Sequence, residues 1–211
     1  HLSLRRQRQM CIRDSFIGLY PTPALSIYLN SSAQTSELRA GIQITASHNP
    51  YNDNGIKIFG HNGYKISRNE EKAIEEIVNS QDNFQKEIDC DLNVDQSTVD
   101  LYSHYLSEKL TKDIKFKKKL NIALDCSNGA VSNIFKSLTV PNNISFVLLN
   151  NLSNGKNINL DCGSTHPETL RKTVVATDSN LGIALDGDAD RILIIDENGG
   201  ILDGDQILYI L

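Results

Sequence analysis

From Leu120 onward, apolar residues come in short runs separated by turn-forming residues. Leu120 to Asp125, Ser145 to Leu149, Leu181 to Leu185 and Arg191 to Asp196 have the length and content of strands. Between them, Ala130 to Leu138 and Pro167 to Val175 predict helices. Strands alternating with helices predict an α/β layered domain. Earlier in the chain, Gly41-Ile42-Gln43-Ile44-Thr45 alternates apolar and polar residues as a strand does, and Ile56 to Phe59 predicts a second strand. The turn-rich stretch Ser47 to Gly55 separates the two. Tyr20-Pro21-Thr22-Pro23 predicts a turn that then starts a short helix over Ala24 to Leu29. Ser67 with Glu70 three residues on predicts a capping box. The helix it opens runs to about Val78, with Ala73, Ile74, Ile77 and Val78 on its apolar face. Residues 80–98 are polar and patternless, as a linker would be, and a helix begins near Ser97, carrying Leu101, Tyr105, Leu106 and Leu110. The basic run Lys115 to Lys119 predicts a solvated loop.

Both ends read as cut. His1 to Ser15 concentrates Arg5, Arg6, Arg8 and Arg13, and RRQRQMCIRDS resembles a translated sequencing adapter, so the expectation is a non-native segment over residues 1–15. At the other end, Ile207 to Leu211 reads as a helix that has only begun.

Composition narrows the class. In 211 residues, 39% apolar and 22% charged content is that of a soluble globular protein. A net charge of −5 predicts no nucleic-acid partner, and no apolar run is long enough for a membrane span. Cys11, Cys90, Cys126 and Cys162 form no C-x-x-C pair, so the expectation is reduced thiols in a cytoplasmic protein.

The strongest chemical signal is Asp186-Gly187-Asp188-Ala189-Asp190-Arg191. Alternate side chains of an extended loop point one way, so the three carboxylates converge. Converging carboxylates repel unless a cation neutralises them, and hard oxygen ligands suit Mg²⁺ or Ca²⁺. The spacing also fits positions one, three and five of a calcium-binding EF-hand, with Glu197 at twelve. That reading fails because Arg191 stands where the turn needs glycine and because both flanks read as strands. A haloacid-dehalogenase type of phosphatase, with an aspartate nucleophile, leaves the serine loop unexplained.

That loop is Thr45-Ala46-Ser47-His48-Asn49-Pro50-Tyr51-Asn52-Asp53-Asn54-Gly55-Ile56-Lys57. Asn-Pro and Asn-Gly are turn formers, so Ser47 sits on a tight loop between strands. Adjacent Ser47 and His48 make a poor nucleophile–base pair, since neighbours on an extended chain point apart, and a structural role stays open for them. Beside the aspartates the loop gains meaning: a hydroxyl that can carry phosphate, a lysine, and a metal to offset charge.

Together, TASHNPYNDNGIK around Ser47 and DGDADR over 186–191 resemble the paired signature of the phosphohexomutase superfamily. Asn157-Ile158-Asn159 followed by Cys162-Gly163-Ser164-Thr165-His166-Pro167-Glu168 resembles its phosphoglucosamine mutase branch, and Tyr20 to Ala24 and Asp203-Gly204-Asp205 also fit. The resemblance implies layered α/β/α domains with mixed sheets, a fragment of a four-domain enzyme. Residues 16–95 would be the C-terminal part of domain I and 96–211 a truncated domain II, with domains III and IV missing. It implies interconversion of glucosamine 6-phosphate and glucosamine 1-phosphate through a phosphorylated Ser47 and a bisphosphorylated sugar. Mg²⁺ would be held by Ser47, Asp186, Asp188 and Asp190, and Lys57 would be the general acid/base, though a solvent-facing lysine stays open. His48 and Arg191 would contact phosphate, while His166 shapes its loop. A homodimer is the expectation for an intact protein. A glucose or mannose phosphomutase is the alternative, as is an inactive metal-binding piece if the chain stands alone.

Overall fold

The computed structural model describes residues 15–32, 40–80, 94, 96–113 and 118–210. The expected non-native segment, Cys11, Cys90, most of the expected linker and most of the basic run lie outside the described residues.

Helix α1 (Thr22–Ser32) leads to an antiparallel hairpin of β1 (Ala40–Thr45) and β2 (Gly55–Gly60). Thr45 pairs with Gly55, so the serine loop is the hairpin's tip. Gly41 and Phe59 point towards α1 and pack on Leu25 and Leu29. A Cβ on Gly41 would come within 2.7 Å of Leu29, so glycine is what lets helix and strand approach. Strand alternation then turns Ile42, Ile44 and Ile56 to the opposite face, which is exposed.

Helix α2 (Arg68–Asn79) opens with the expected capping box: the Glu70 amide donates to the Ser67 hydroxyl, and the Ser67 amide donates to the Glu70 carboxylate. Its apolar face does not enter a core; Ala73, Ile74, Ile77 and Val78 are all exposed. Helix α3 (Gln96–Glu108) follows and runs into one wider turn over Lys109–Asp113.

The second half is a five-stranded sheet: β3 (Leu120–Asp125), β4 (Ile144–Leu149), β5 (Leu181–Leu185), β6 (Ile192–Asp196) and β7 (Ile201–Leu202), in the order β4-β3-β5-β6-β7. The first three are mutually parallel; β6 and β7 are antiparallel, so the sheet is mixed. Helix α4 (Glu168–Ala176) covers one face, where Leu170 and Val174 meet Ala123, Ala184 and Ile195. The other face is covered by α1, α3 and a short helical segment, through Tyr20, Ala24, Tyr102, Val131 and Ile134 packed on Leu124 and Cys126. Successive residues of β3 thus feed opposite cores, the hallmark of an α/β/α layered domain. A final helix, α5 (Gly204–Ile210), takes up the apolar run expected to begin one.

One element differs in kind. Residues 130–138 were expected to form an α-helix, but Ala130–Lys136 is a 3₁₀-helix. Val131 and Ile134, three apart, both enter the core, and a turn of three residues stacks them in line. Ser132 and Asn133 also favour the α-helix little, since their side chains compete for backbone groups.

Candidate active site

The chain from β3 passes over one face to β4, while α4 returns on the other face to β5. The carboxyl ends of β3 and β5 therefore diverge at a topological switch point, where open α/β sheets bind ligands. The aspartate loop sits there as the tip of the β5–β6 hairpin, with Leu185 paired to Ile192. Ala189 takes φ +54°, a left-handed turn inside the loop. Gly129 and Gly187 touch so closely that a Cβ on Gly129 would lie 2.2 Å from the Gly187 carbonyl oxygen.

Facing this loop is the tip of the β1–β2 hairpin. The Gly187 amide donates to the Ser47 carbonyl at 3.1 Å, and the Ser47 hydroxyl donates to Asp186 Oδ2 at 3.0 Å. Carboxylate oxygens of Asp186, Asp188 and Asp190 all lie within 4.8 Å of one another. Asp186 and Asp188 are buried; Asp190 is at the rim. The amides of Asp190 and Arg191 both donate to Asp186 Oδ1 at 3.1 Å, which fixes that carboxylate.

Lys57 reaches over from β2, with Nζ 2.6 Å from Asp188 Oδ2 and 2.6 Å from Asp190 Oδ2. Burial alone would lower its pKa, but the hydrogen bonds and charges of Asp188 and Asp190 outweigh it and raise the value. Asp188 responds in the opposite sense. Burial works to raise it, yet hydrogen bonds from Lys57 and Thr22 hold it below the usual carboxylate range. Asp186 is raised, first by burial and then by the charge of Asp188.

The donor set fits a hard divalent cation. It offers three carboxylates and a serine hydroxyl, all oxygen ligands. Asp188 Oδ1 is buried and has no hydrogen-bond partner, so an acceptor is held ready inside the cluster. The Lys57 ammonium lies against two of the carboxylates, a positive charge standing where such a cluster needs one.

The structure thus brings Ser47, Lys57, Asp186, Asp188 and Asp190 together. His48 lies beside them, half-buried, with Nδ1 buried and unpartnered. Arg191 is joined to the cluster through its backbone, while its side chain is exposed. His166 is exposed, with Nδ1 3.1 Å from the Thr165 hydroxyl.

Three residues escaped the sequence reading. Thr22 donates through its hydroxyl to Asp188 Oδ2, and its amide donates to the Asp188 carbonyl at 2.9 Å. Asp125, fully buried at the end of β3, accepts from the amides of Ser127 and Gly163, each at 2.9 Å. Asn159 bonds the serine loop directly. All three lie in or beside motifs visible in the sequence, but nothing in the spacing says which side chain turns inward. A cleft of about 410 Å³ opens beside the cluster, bordered by Tyr20, Gln43, Tyr51, Asn54, Gly155 and Asp188. Cys126 and Cys162 are buried and in no disulfide; burial pushes their thiols up to about 12 and about 11, so they carry no nucleophile at neutral pH. Among the described residues, no helix is long and apolar enough to cross a membrane.

Comparison with known proteins agrees with this geometry. Residues 10–85 match phosphoglucomutase/phosphomannomutase, alpha/beta/alpha domain I, and residues 100–200 match domain II of the same family. The chain is 42% identical to phosphoglucosamine mutase of Rhizobium johnstonii over 94% of its length, and 41% identical to that of Zymomonas mobilis over 92%. It spans 44% and 43% of those proteins, under half of each. Among solved structures, a phosphoglucomutase/phosphomannomutase family protein of Burkholderia thailandensis aligns with TM-score 0.63 at 24% identity, covering 92% of this chain and 42% of that one. An N-acetylglucosamine-phosphate mutase in its substrate complex aligns with TM-score 0.58 at 19% identity, covering 87% of this chain and 49% of that one. These two likenesses speak for the fold. With both of its halves matched, the chain belongs to the phosphoglucomutase/phosphomannomutase family of mutase enzymes, also called phosphohexomutases.

Proposed function

We propose that this chain is part of a phosphoglucosamine mutase that interconverts glucosamine 6-phosphate and glucosamine 1-phosphate. The observation that carries the reading is the Ser47 hydroxyl 3.0 Å from Asp186, inside a cluster of three aspartates. The 42% identical Rhizobium protein, named phosphoglucosamine mutase, supports the choice of sugar.

In this reading a phosphoryl group on Ser47 Oγ passes to a sugar hydroxyl. The sugar O–P bond forms as the Ser47 O–P bond breaks; the sugar hydroxyl gives up its proton and the departing Ser47 Oγ gains one, so the transfer is proton-neutral overall. The bisphosphorylated sugar then turns, and Ser47 takes back its other phosphate. Asp186, Asp188 and Asp190 with Ser47 would hold Mg²⁺, which supplies charge neutralisation for the phosphoryl oxygens. Lys57, whose Nζ lies 2.6 Å from Asp188 and from Asp190, is the group this reading uses to return a proton to a departing oxygen. The exposed Arg191 guanidinium can hold two phosphate oxygens at once, which a lysine cannot. His48, half-buried next to the phosphorylated position and with Nδ1 unpartnered, is the residue this reading gives to a phosphate oxygen.

Residues 16–95 then form the later part of domain I and 96–211 most of domain II, in a cytoplasmic enzyme whose further domains complete the sugar site. The chain spans 44% of its Rhizobium relative and exposes Ile42, Ile44 and Ile56 at 65–70%. These facts favour a second reading of the 211 residues by themselves: a cation-binding piece without turnover. The full-length polypeptide carrying this sequence is expected to convert glucosamine 6-phosphate with higher kcat/KM than the glucose or mannose 6-phosphates. Ser47→Ala is expected to abolish that turnover, and full activity in the variant would sink the mechanism.

A further inference from the structure

Asn159 stands in the loop between β4 and α4, buried, in a left-handed backbone conformation at φ +57°. Its own amide donates to the Ser127 carbonyl at 2.9 Å, which anchors it to the loop after β3. Its side-chain nitrogen crosses to the other hairpin and donates twice, to the Ser47 carbonyl at 2.7 Å and to the Asn49 carbonyl at 2.8 Å. A carboxamide NH₂ has two protons, and both are used on one loop.

Those bonds act where the loop is strained. Ser47 takes φ +51°, a region costly for any residue with a Cβ. On one side its amide donates to the Thr45 hydroxyl at 2.8 Å; on the other its carbonyl accepts from Gly187 and Asn159 together. With both sides of the residue fixed, Cβ is held in place, and from there Oγ reaches Asp186 Oδ2 at 3.0 Å. Asn159 makes no hydrogen bond to the carboxylates and does not border the cleft, so its side chain acts on the site through the backbone of the serine loop.

We propose that Asn159 is a positioning residue for Ser47: its carboxamide holds the serine-loop backbone so that the hydroxyl meets the aspartate cluster, and thereby sets the rate of phosphoryl transfer at Ser47. The inference rests on the mutase reading for its kinetic consequence, while the mechanical claim stands apart from it.

Two variants separate the bonds from the backbone conformation. Asn159→Gly keeps the left-handed turn and deletes both donors. Asn159→Asp keeps shape and turn tolerance but sets an oxygen against two carbonyl oxygens. In the 211-residue chain, amide hydrogen exchange at Ser47, Asn49 and Gly187 is expected to speed up by about tenfold or more in both variants, with the aspartate variant faster. Exchange at Ala123 and Ala184, and affinity for Mn²⁺, are expected to stay within about twofold, since the sheet and the carboxylates are untouched. In the full-length polypeptide carrying this sequence, the maximal rate of Ser47 phosphorylation by a hexose 1,6-bisphosphate is expected to fall about tenfold or more, with its half-saturating concentration little changed.

Unchanged loop exchange in both variants overturns the proposal. So does faster exchange with an unchanged phosphorylation rate, which would leave Asn159 a packing residue. Loss of protection throughout β3 and β5 in both variants makes it a folding residue and overturns it too. If the unmodified full-length polypeptide takes no phosphate at Ser47, the mutase reading falls, and the exchange comparison still decides whether Asn159 holds the loop.

Discussion

The two hairpins that meet at the site are built alike and supported differently. Each is an antiparallel pair closed by a polar loop with a left-handed residue near its tip, Ser47 in one and Ala189 in the other. The β5–β6 hairpin is embedded in a five-stranded sheet, and its Ala184 and Ile195 are completely buried. The β1–β2 hairpin is a sheet of two strands, packed on α1 through Phe59 on one face and carrying exposed isoleucines on the other. A two-stranded hairpin by itself is marginal in water. The clustered carboxylates therefore sit on the well-supported partner. The serine sits on the weaker one and is brought to register by bonds from across the gap, those of Gly187 and Asn159. In the proposed mutase, rigid carboxylates facing a more lightly held serine would suit a site where charge must be pre-arranged while the group being transferred changes.

The largest expected effect breaks the comparison if it fails. Leu170→Ala, at a completely buried position under the five-stranded sheet, is expected to cost about 2–5 kcal/mol in urea unfolding. Ile44→Ala, 70% exposed on the two-stranded sheet, is expected to change stability by less than about 0.5 kcal/mol. Comparable losses at both positions would mean that the isoleucine face is buried in solution. Next in size is Gly129→Ala. The new methyl would meet the Gly187 backbone at 2.2 Å, and backbone on both sides leaves little room to yield. An overpacking cost of about 1–3 kcal/mol is expected, with weakened Mn²⁺ binding because the displaced strand end carries the aspartate loop. Unchanged affinity would show that the aspartate loop is held independently of the β3 end.

Legibility in the sequence followed the same divide. In the second half, β3 and β5 run as expected and β4 and β6 fall within a residue of expectation, because short apolar runs between turns leave a buried strand few alternatives. The tips were legible as well, since Asp-x-Asp-x-Asp and the Asn-Pro and Asn-Gly turns carry their chemistry in residue type. Burial in the first half was not. The alternation in Ile42-Gln43-Ile44 gave the strand correctly, but the face that packs on α1 is the one with Gly41 and Phe59. Periodicity identifies two faces and cannot say which one a helix covers when glycine makes close approach possible. The 3₁₀-helix at Ala130–Lys136 was missed for a related reason: two core positions three apart fit either helix, and tertiary packing chose. Asn159 and Thr22 were hidden because their roles depend on contacts across more than a hundred residues of sequence.

The smallest effect sharpens the comparison at α2, the helix of the lightly packed half whose apolar face is exposed. With no buried side chain, α2 depends on its local bonds more than α4 does, and the Ser67–Glu70 box supplies two of them. Ser67→Ala is expected to cost about 1 kcal/mol of helix stability, seen as faster amide exchange confined to the first turn of α2. Glu70→Gln tests the charge. Hydrogen bonds from the Ser67 amide and hydroxyl hold the Glu70 carboxyl below its ordinary value. A depressed folded-state value means stability that is present above the unfolded-state value and lost as pH falls through the folded one. The exchange difference between Glu70→Gln and the parent chain should therefore be visible at neutral pH and close in acid, once the parent carboxyl is protonated. A difference that persisted in acid would assign the effect to the shape of the side chain and leave its charge without a role.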